Sequence, residues 1–314
     1  MNTLRKAVGE YLAMRRGLGF KLREAGPNLL DFVTFMERHH ASYITQALAL
    51  AWARRPGNVQ PAEWARRLRV VRLFARYRSA TDPRTQIPQS GLLPFQPKRA
   101  RPYLYSDVEI RSLLRAALKI PHRREREALL PWVYYHLFGL LAVSGMRLGE
   151  ARNLELRDVD LKAAVLTVRG SKFGKDRLVP LHPSTGAALA PYIRRRQRHW
   201  VGRPVSSYLF VSSLGNRLDT GQIYRAFHAL SRQIGLRGPA DRRGPRLHDM
   251  RHRFATTTLV HWYQSDQEPE RQLPILSAYL GHTCIAHTQW YLSGSPELMR
   301  EAMRRLEKRW EGHP

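Results

Sequence analysis

One cysteine, Cys284, stands in the whole chain. A lone thiol cannot close an intramolecular disulfide, and no Cys–His set has zinc-ligand spacing, so a disulfide scaffold and a zinc module are both unsupported. Long apolar runs are missing too. Nothing approaches the roughly 18 residues of a membrane-spanning helix, and the opening Met1–Leu12 lacks a signal-peptide hydrophobic stretch. Carboxylates are scarce, with 25 Asp plus Glu, and none are paired at the spacing of a two-metal nuclease site. These absences exclude a membrane partner, secretion and a metal site, and they predict a reducing, cytoplasmic setting.

What is abundant is positive charge. Lys plus Arg number 53, for a formal net charge of +28 over 314 residues. A solvated surface needs no such excess, whereas a polyanion partner does, because each phosphate neutralised releases condensed counterions. Residues 1–100 hold 18 basic and 6 acidic residues, net +12, against net +16 for the remaining 214. The N-terminal third is thus basic beyond its share, as a DNA-gripping module would be. Apolar residues at 43% suffice for real cores, and the length predicts two domains.

The first domain, residues 1–85, reads as helical. Leu4, Val8, Tyr11 and Leu12 recur at helical spacing, as do Leu29, Val33 and Met36. A short helix is predicted around Ile44–Ala53 and a longer one over Pro61–Ser79, with Arg69, Arg72 and Arg76 forming a basic stripe that predicts phosphate contact. A proline-rich stretch then breaks the pattern, predicting a linker over 86–102. Ser106 and Glu109 form a capping box that opens a second domain, 103–314. That domain is predicted as mainly helical with a small antiparallel sheet. Val165–Val168 and Leu178–Leu181 flank a hairpin turn, and helices follow near 184–200, 219–234, 247–263, 272–280 and 296–310.

Four stretches of this domain could carry chemistry. Ser144-Gly145-Met146-Arg147-Leu148-Gly149-Glu150 places Arg147 at a helix mouth, where a guanidinium can grip phosphate in two places; a surface pair with Glu150 would fit as well. The turn Gly170–Arg177 presents Lys172 and Lys175, either of which could act as a general acid. His248 and Arg251 sit three residues apart at a helix start and could share a phosphate and a proton. Tyr279-Leu280-Gly281-His282 precedes Tyr291, nine positions after its histidine. A phenol is a weak nucleophile unless cations or a base surround it.

Taken in order, these residues resemble the tyrosine recombinase (lambda-integrase) family. Its pattern is an Arg in a Gly-Arg-x-x-Glu box, a Lys in a β-turn, a His-x-x-Arg, and a Leu-Gly-His followed by a Tyr nine residues on. Arg147, Lys172, His248, Arg251, His282 and Tyr291 fill it. Aligning Arg177-Leu178-Val179-Pro180-Leu181 with the family's strand selects Lys172 over Lys175, and Met146 replaces the commoner Leu. The stretch from Thr288 to Met299 is similar to that of transposon-borne members.

The resemblance implies a helical core-binding domain and an α+β catalytic domain that clamp double-stranded DNA. Tyr291 would be the nucleophile, Lys172 the general acid, and Arg147, Arg251 and His282 the groups neutralising phosphate oxygens. His248 would assist proton transfer, and Glu150 would support Arg147. No cofactor or metal is implied. The working unit would be a homo-tetramer on DNA at the bacterial nucleoid, exchanging its C-terminal helix between copies, with sister recombinases as further partners. Lys175 and Arg243, with the Arg69 stripe, are the expected DNA contacts. Two other classes fit less well: a catalytically silent helper subunit, and a relaxing enzyme of the type IB topoisomerase kind.

Overall fold

The computed structural model describes residues 4–94, 101–170, 176–241, 244–265, 269–282, 284–291 and 296–311. Two compact units divide the chain, Met1–Ala100 and Arg101–Pro314.

The first unit is built from α1 (Leu4–Gly17), α2 (Ala25–Arg38), α3 (Gln46–Arg54) and α4 (Pro61–Ser79). Each helix buries one stripe. Ala7, Val8 and Tyr11 from α1 meet Leu29, Phe32, Val33 and Met36 from α2, with Leu68, Val71 and Phe74 from α4 completing the core. Fully buried Trp52 anchors α3, its indole donating to Asp31 Oδ2 at 2.9 Å while the Arg67 guanidinium lies 3.9 Å over the ring. Helix α3 starts at Gln46 rather than Ile44, because the Thr45 hydroxyl accepts from Leu48 N and caps it. The proline-rich stretch joins this unit as far as Leu93, which is buried in its core. Arg72 Nε and Nη2 hold it by donating to Pro88 O at 2.7 Å and Gln89 O at 2.6 Å.

In the second unit the Ser106–Glu109 capping box opens α5 (Asp107–Leu118). Helix α6 (Leu130–Ser144) is apolar on nearly every side and lies in the core, burying Val133, Leu137, Phe138, Leu140 and Leu141. It is followed by α7 (Leu148–Asn153) and a three-stranded antiparallel sheet in the order β1 (Val159–Asp160), β2 (Val165–Val168), β3 (Arg177–Pro180). The sequence pattern showed only the last two strands, since a two-residue strand carries no readable alternation. Leu166 pairs with Val179 and Val168 with Arg177. Leu166, Val168 and Val179 are buried, while Leu178 is 63% exposed. Then come α8 (Pro183–His199), α9 (Thr220–Gln233), α10 (Asp249–Gln264), α11 (Pro269–Leu280), α12 (Ala286–Gln289) and α13 (Pro296–Glu311). No helix among the described residues is long and apolar enough to cross a membrane.

Helix α13 packs on α10 of its own chain. Leu298 is buried, Arg305 Nε donates to Tyr263 O at 2.9 Å, and the Arg305 guanidinium lies over the Tyr263 ring. Leu306 and Trp310, spaced in the sequence as one packing face with Leu298, are 46% and 74% exposed.

Helix α6 stops at Gly145, whose φ of +59° lies in the left-handed region. A Cβ there would sit 2.5 Å from Phe254 Cδ1 and 3.2 Å from Leu280 Cδ2. Gly145→Ala therefore combines backbone strain with a ring clash and should destabilise the unit by roughly 2–4 kcal/mol. Chemical denaturation measures it, and a loss below about 1 kcal/mol would mean that the ring yields freely.

Candidate active site

Arg147 stands at the N-cap of α7, and both of its bonds to Glu150 run from the arginine to the carboxylate. Arg147 N donates to Glu150 Oε2 at 2.9 Å, and Arg147 Nη1 to Oε1 at 2.8 Å. Its Nη2 donates to Gly281 O at 3.0 Å, so the guanidinium also reaches the loop after α11. Of the two possibilities left open by the sequence, the structure shows the pair with Glu150, in which the Arg147 side chain stays 31% exposed. Glu150 carries a second partner that the sequence reading missed. Arg177 Nη1 and Nη2 reach Oε1 and Oε2 at 3.0 and 2.8 Å. Burial alone would raise the Glu150 pKa, but the hydrogen bonds and charges of Arg177 and Arg147 outweigh it and push the carboxyl down to about 2.

Arg251, on the first turn of α10, is 2% exposed. Nη1 donates to Gly145 O at 2.8 Å and Nη2 to Leu280 O at 2.6 Å, which ties the ends of α6 and α11 to α10. Nη2 also donates to His282 Nε2 at 2.8 Å. A guanidinium cannot accept, so His282 Nε2 is the acceptor and its proton lies on Nδ1, 2.8 Å from the Thr288 hydroxyl. Burial lowers the Arg251 pKa, opposed by the Tyr291 phenol beside it.

Tyr291 is 5% exposed. Its ring stacks on His282 with centroids 5.9 Å apart, and His252 presents an edge at 5.1 Å. The cluster is therefore Arg147, Arg251, His282 and Tyr291, gathered from the ends of α6, α10, α11 and α12. His248 stands immediately before α10 with an exposed surface, and its ring meets that of His252 edge-on at 5.0 Å. Enclosure of the rest of the ring, then Arg251, lowers the His248 pKa. Lys172, Lys175 and Arg243 lie outside the described residues. In the first unit Arg69 and Arg76 are exposed, whereas Arg72 is committed to Pro88 and Gln89.

Arg177, His252 and Thr288 were missed by sequence reasoning. A signal existed only for Arg177: strand alternation places it on the same face as buried Val179, where a cation requires a partner. Nothing local marks Thr288, six residues after His282.

His252 is buried, and its Nδ1 has no hydrogen-bond partner among the described residues. Burial first, then His248, pushes its pKa down to about 4; burial and Arg195 do the same to His136. Both histidines stay neutral when folded, while the unfolded chain takes up protons below about pH 6.5. Their contribution to stability is thus complete above that pH and is lost as pH falls from about 6.5 to about 4, up to roughly 3 kcal/mol for each. Thermal melting between pH 7.5 and 4.5 should show the midpoint falling with acidity. His136→Phe should reduce that slope, and an equal slope in the variant would contradict the assignment.

A buried arginine, a second arginine at a helix mouth, a histidine and a tyrosine thus meet in a helical domain with a small antiparallel sheet. The phage integrase family matches residues 107–297. The integrase/recombinase-type protein y4rB of Sinorhizobium fredii (strain NBRC 101917 / NGR234) is 66% identical over 311 residues, covering 99% of each chain. The chain belongs to the phage integrase family, that of the tyrosine recombinases. Two solved structures share its fold. The XerH site-specific recombinase, bound to palindromic difH substrate in a post-cleavage complex, has TM-score 0.66 at 18% identity, covering 90% of this chain and 79% of that one. The Tn1549 transposon integrase with a circular intermediate DNA has TM-score 0.66 at 15% identity, covering 96% and 99%.

Proposed function

We propose that this chain is a site-specific DNA recombinase acting through a covalent tyrosine intermediate. The observation that supports it most is the placement of Tyr291 against Arg251 and His282, with Arg147 tied to the same Leu280–Gly281 loop. In this reading the Tyr291 oxygen attacks the scissile phosphorus while the bond to the 5′ oxygen breaks, leaving a 3′-phosphotyrosine and a free 5′-hydroxyl. Arg147 and Arg251 hold the nonbridging oxygens, where charge accumulates. His282 joins them once phosphate displaces its bond to Arg251 and Nε2 carries a proton to donate. Lys172 protonates the departing 5′ oxygen, and His248 takes part in moving the phenol proton. Glu150 supports Arg147 from behind. Since the phosphodiester energy is kept in the protein–DNA bond, the reverse step rejoins strands without ATP or a metal ion.

Exchange between two duplexes requires four such sites, hence a homo-tetramer passing through a Holliday junction. The Tn1549 structure, in complex with a circular intermediate DNA, and the XerH structure, bound to its difH substrate, support double-stranded DNA as the partner. Arg69 and Arg76 of the basic first unit, and Lys175 and Arg243 of the second, supply phosphate contacts. The outer side of α13, with Met299, Met303, Leu306 and Trp310 exposed, offers a surface for a neighbouring copy. Sister recombinases could occupy some of the four positions.

The test is a nicked suicide DNA bearing the recombination site, incubated with the protein in a chelator. A denaturation-resistant adduct, mapped to Tyr291 by peptide mass spectrometry, is the expected result. DNA binding without an adduct would point to a helper subunit. Relaxation of plasmids with no special site would point to a topoisomerase.

A further inference from the structure

The ion pair between Arg177 and Glu150 is not used by the chemistry above. It lies between β3 and α7 with both side chains largely buried, 13% and 8% exposed. Arg177 fills a defined slot. Strand register sets it opposite buried Val168, on the inner face of the sheet. Its Nε donates to Tyr279 O at 3.0 Å. The slot exists because residue 281 is glycine: a Cβ there would stand 2.8 Å from Arg177 Nη1, and the φ of +66° disfavours a side chain as well.

We propose that Arg177 is a positioning residue for Arg147, acting through Glu150. A carboxylate facing one arginine closes a two-pronged pair with it, and that pair competes with phosphate. Here both Glu150 oxygens are already taken by Arg177, so the Arg147 guanidinium contacts the carboxylate through Nη1 alone, beside the bond from its main-chain N, while its Nη2 turns to Gly281 O. Two cations share one anion, which leaves one positive charge uncompensated at the site. Arg177 thus keeps Glu150 ionised, holds it in one orientation and leaves Arg147 available to a phosphate oxygen. The inference rests on the assignment of Arg147 to the scissile phosphate.

The experiment measures adduct formation on the nicked DNA by the full-length protein, with melting midpoint and DNA affinity recorded for every variant. Arg177→Ala should slow the step by about 100-fold, the scale of an ångström-sized misplacement. Arg147→Ala should slow it more, and the double variant should be no slower than Arg147→Ala alone, because both losses pass through one group. A neutral methylphosphonate at the scissile position removes one oxygen charge. The stereoisomer that relieves Arg147→Ala should also relieve Arg177→Ala, a response that a general packing defect would not give. Multiplying defects in the double variant, or relief of only one of them, would overturn the proposal. If Arg177→Ala does not fold, Arg177→Lys keeps the charge without the fork, and a wild-type rate in that variant would equally overturn it. Should Arg147→Ala itself form adduct at the wild-type rate, the reading of Arg147 fails instead, a separate and recognisable outcome.

Discussion

Tyr291→Phe is expected to abolish the covalent adduct, a loss on the order of 10⁴-fold or more in cleavage rate, while DNA binding and folding persist. The substitution removes one oxygen and leaves the ring that stacks on His282 and meets the edges of His252 and Trp290. Packing in this apolar cluster, with Leu259, Leu276 and Leu280, is kept, so the melting midpoint should hardly move. Tyr279, another tyrosine packed near this cluster, is committed elsewhere. The Tyr279 hydroxyl donates to Pro180 O at 3.2 Å, and burial, opposed by Arg177, pushes its pKa up to about 12. Quantifying adduct on the suicide DNA for wild type and variant side by side decides the matter. A variant that still forms adduct at a comparable rate would remove Tyr291 from its role.

Arg251 should give the second largest effect, and in two currencies. It is buried, and its contacts are two backbone carbonyls and His282, with no carboxylate in salt-bridge range among the described residues. Arg251→Ala leaves Gly145 O and Leu280 O without that donor inside the fold, at a cost of roughly 2–4 kcal/mol in unfolding free energy. Arg251→Lys retains a charge but not the planar fork, since an ammonium cannot span Gly145 O, Leu280 O and a phosphate oxygen together. That variant should fold and yet cleave about 10³-fold more slowly, the scale seen when a preorganised charge-stabilising donor is lost. Denaturant unfolding and single-turnover cleavage separate the two effects. Near wild-type cleavage by Arg251→Lys would show that charge alone suffices and that the fork geometry is incidental.

Much of the second unit was legible because its signals are local. The Ser106–Glu109 box needs only two residues three apart, and it is present. Helix α6 is apolar along nearly its whole length, a local pattern that by itself marks a buried helix. The hairpin alternation located β2 and β3, although β3 begins one residue earlier than its apolar pattern suggested, at Arg177. Where the sequence reading fell short, the cause was a partner distant along the chain. The proline-rich stretch read as a linker, yet Arg72 draws 88 and 89 onto α4 and Leu93 enters the core. The C-terminal helix carried an apolar spacing that runs beyond the part of it that packs. Arg177, drawn in only to align a strand, became part of the site through Glu150, 27 positions away.

By itself, the sequence determined that this is a basic, mainly helical chain with a small sheet, and it nominated residues separated by up to 144 positions as one chemical set, because their order and spacing are linear properties. Which atoms touch was decided by tertiary structure alone. Gly145 ends α6 in a left-handed turn whose carbonyl receives Arg251, and Leu280 O accepts from both Arg251 and Arg147. Those carbonyls are identical in every residue type and leave no mark in a sequence. Only the crossing of helix ends brings them within 3 Å or so of two guanidiniums, where hydrogen-bond geometry takes over.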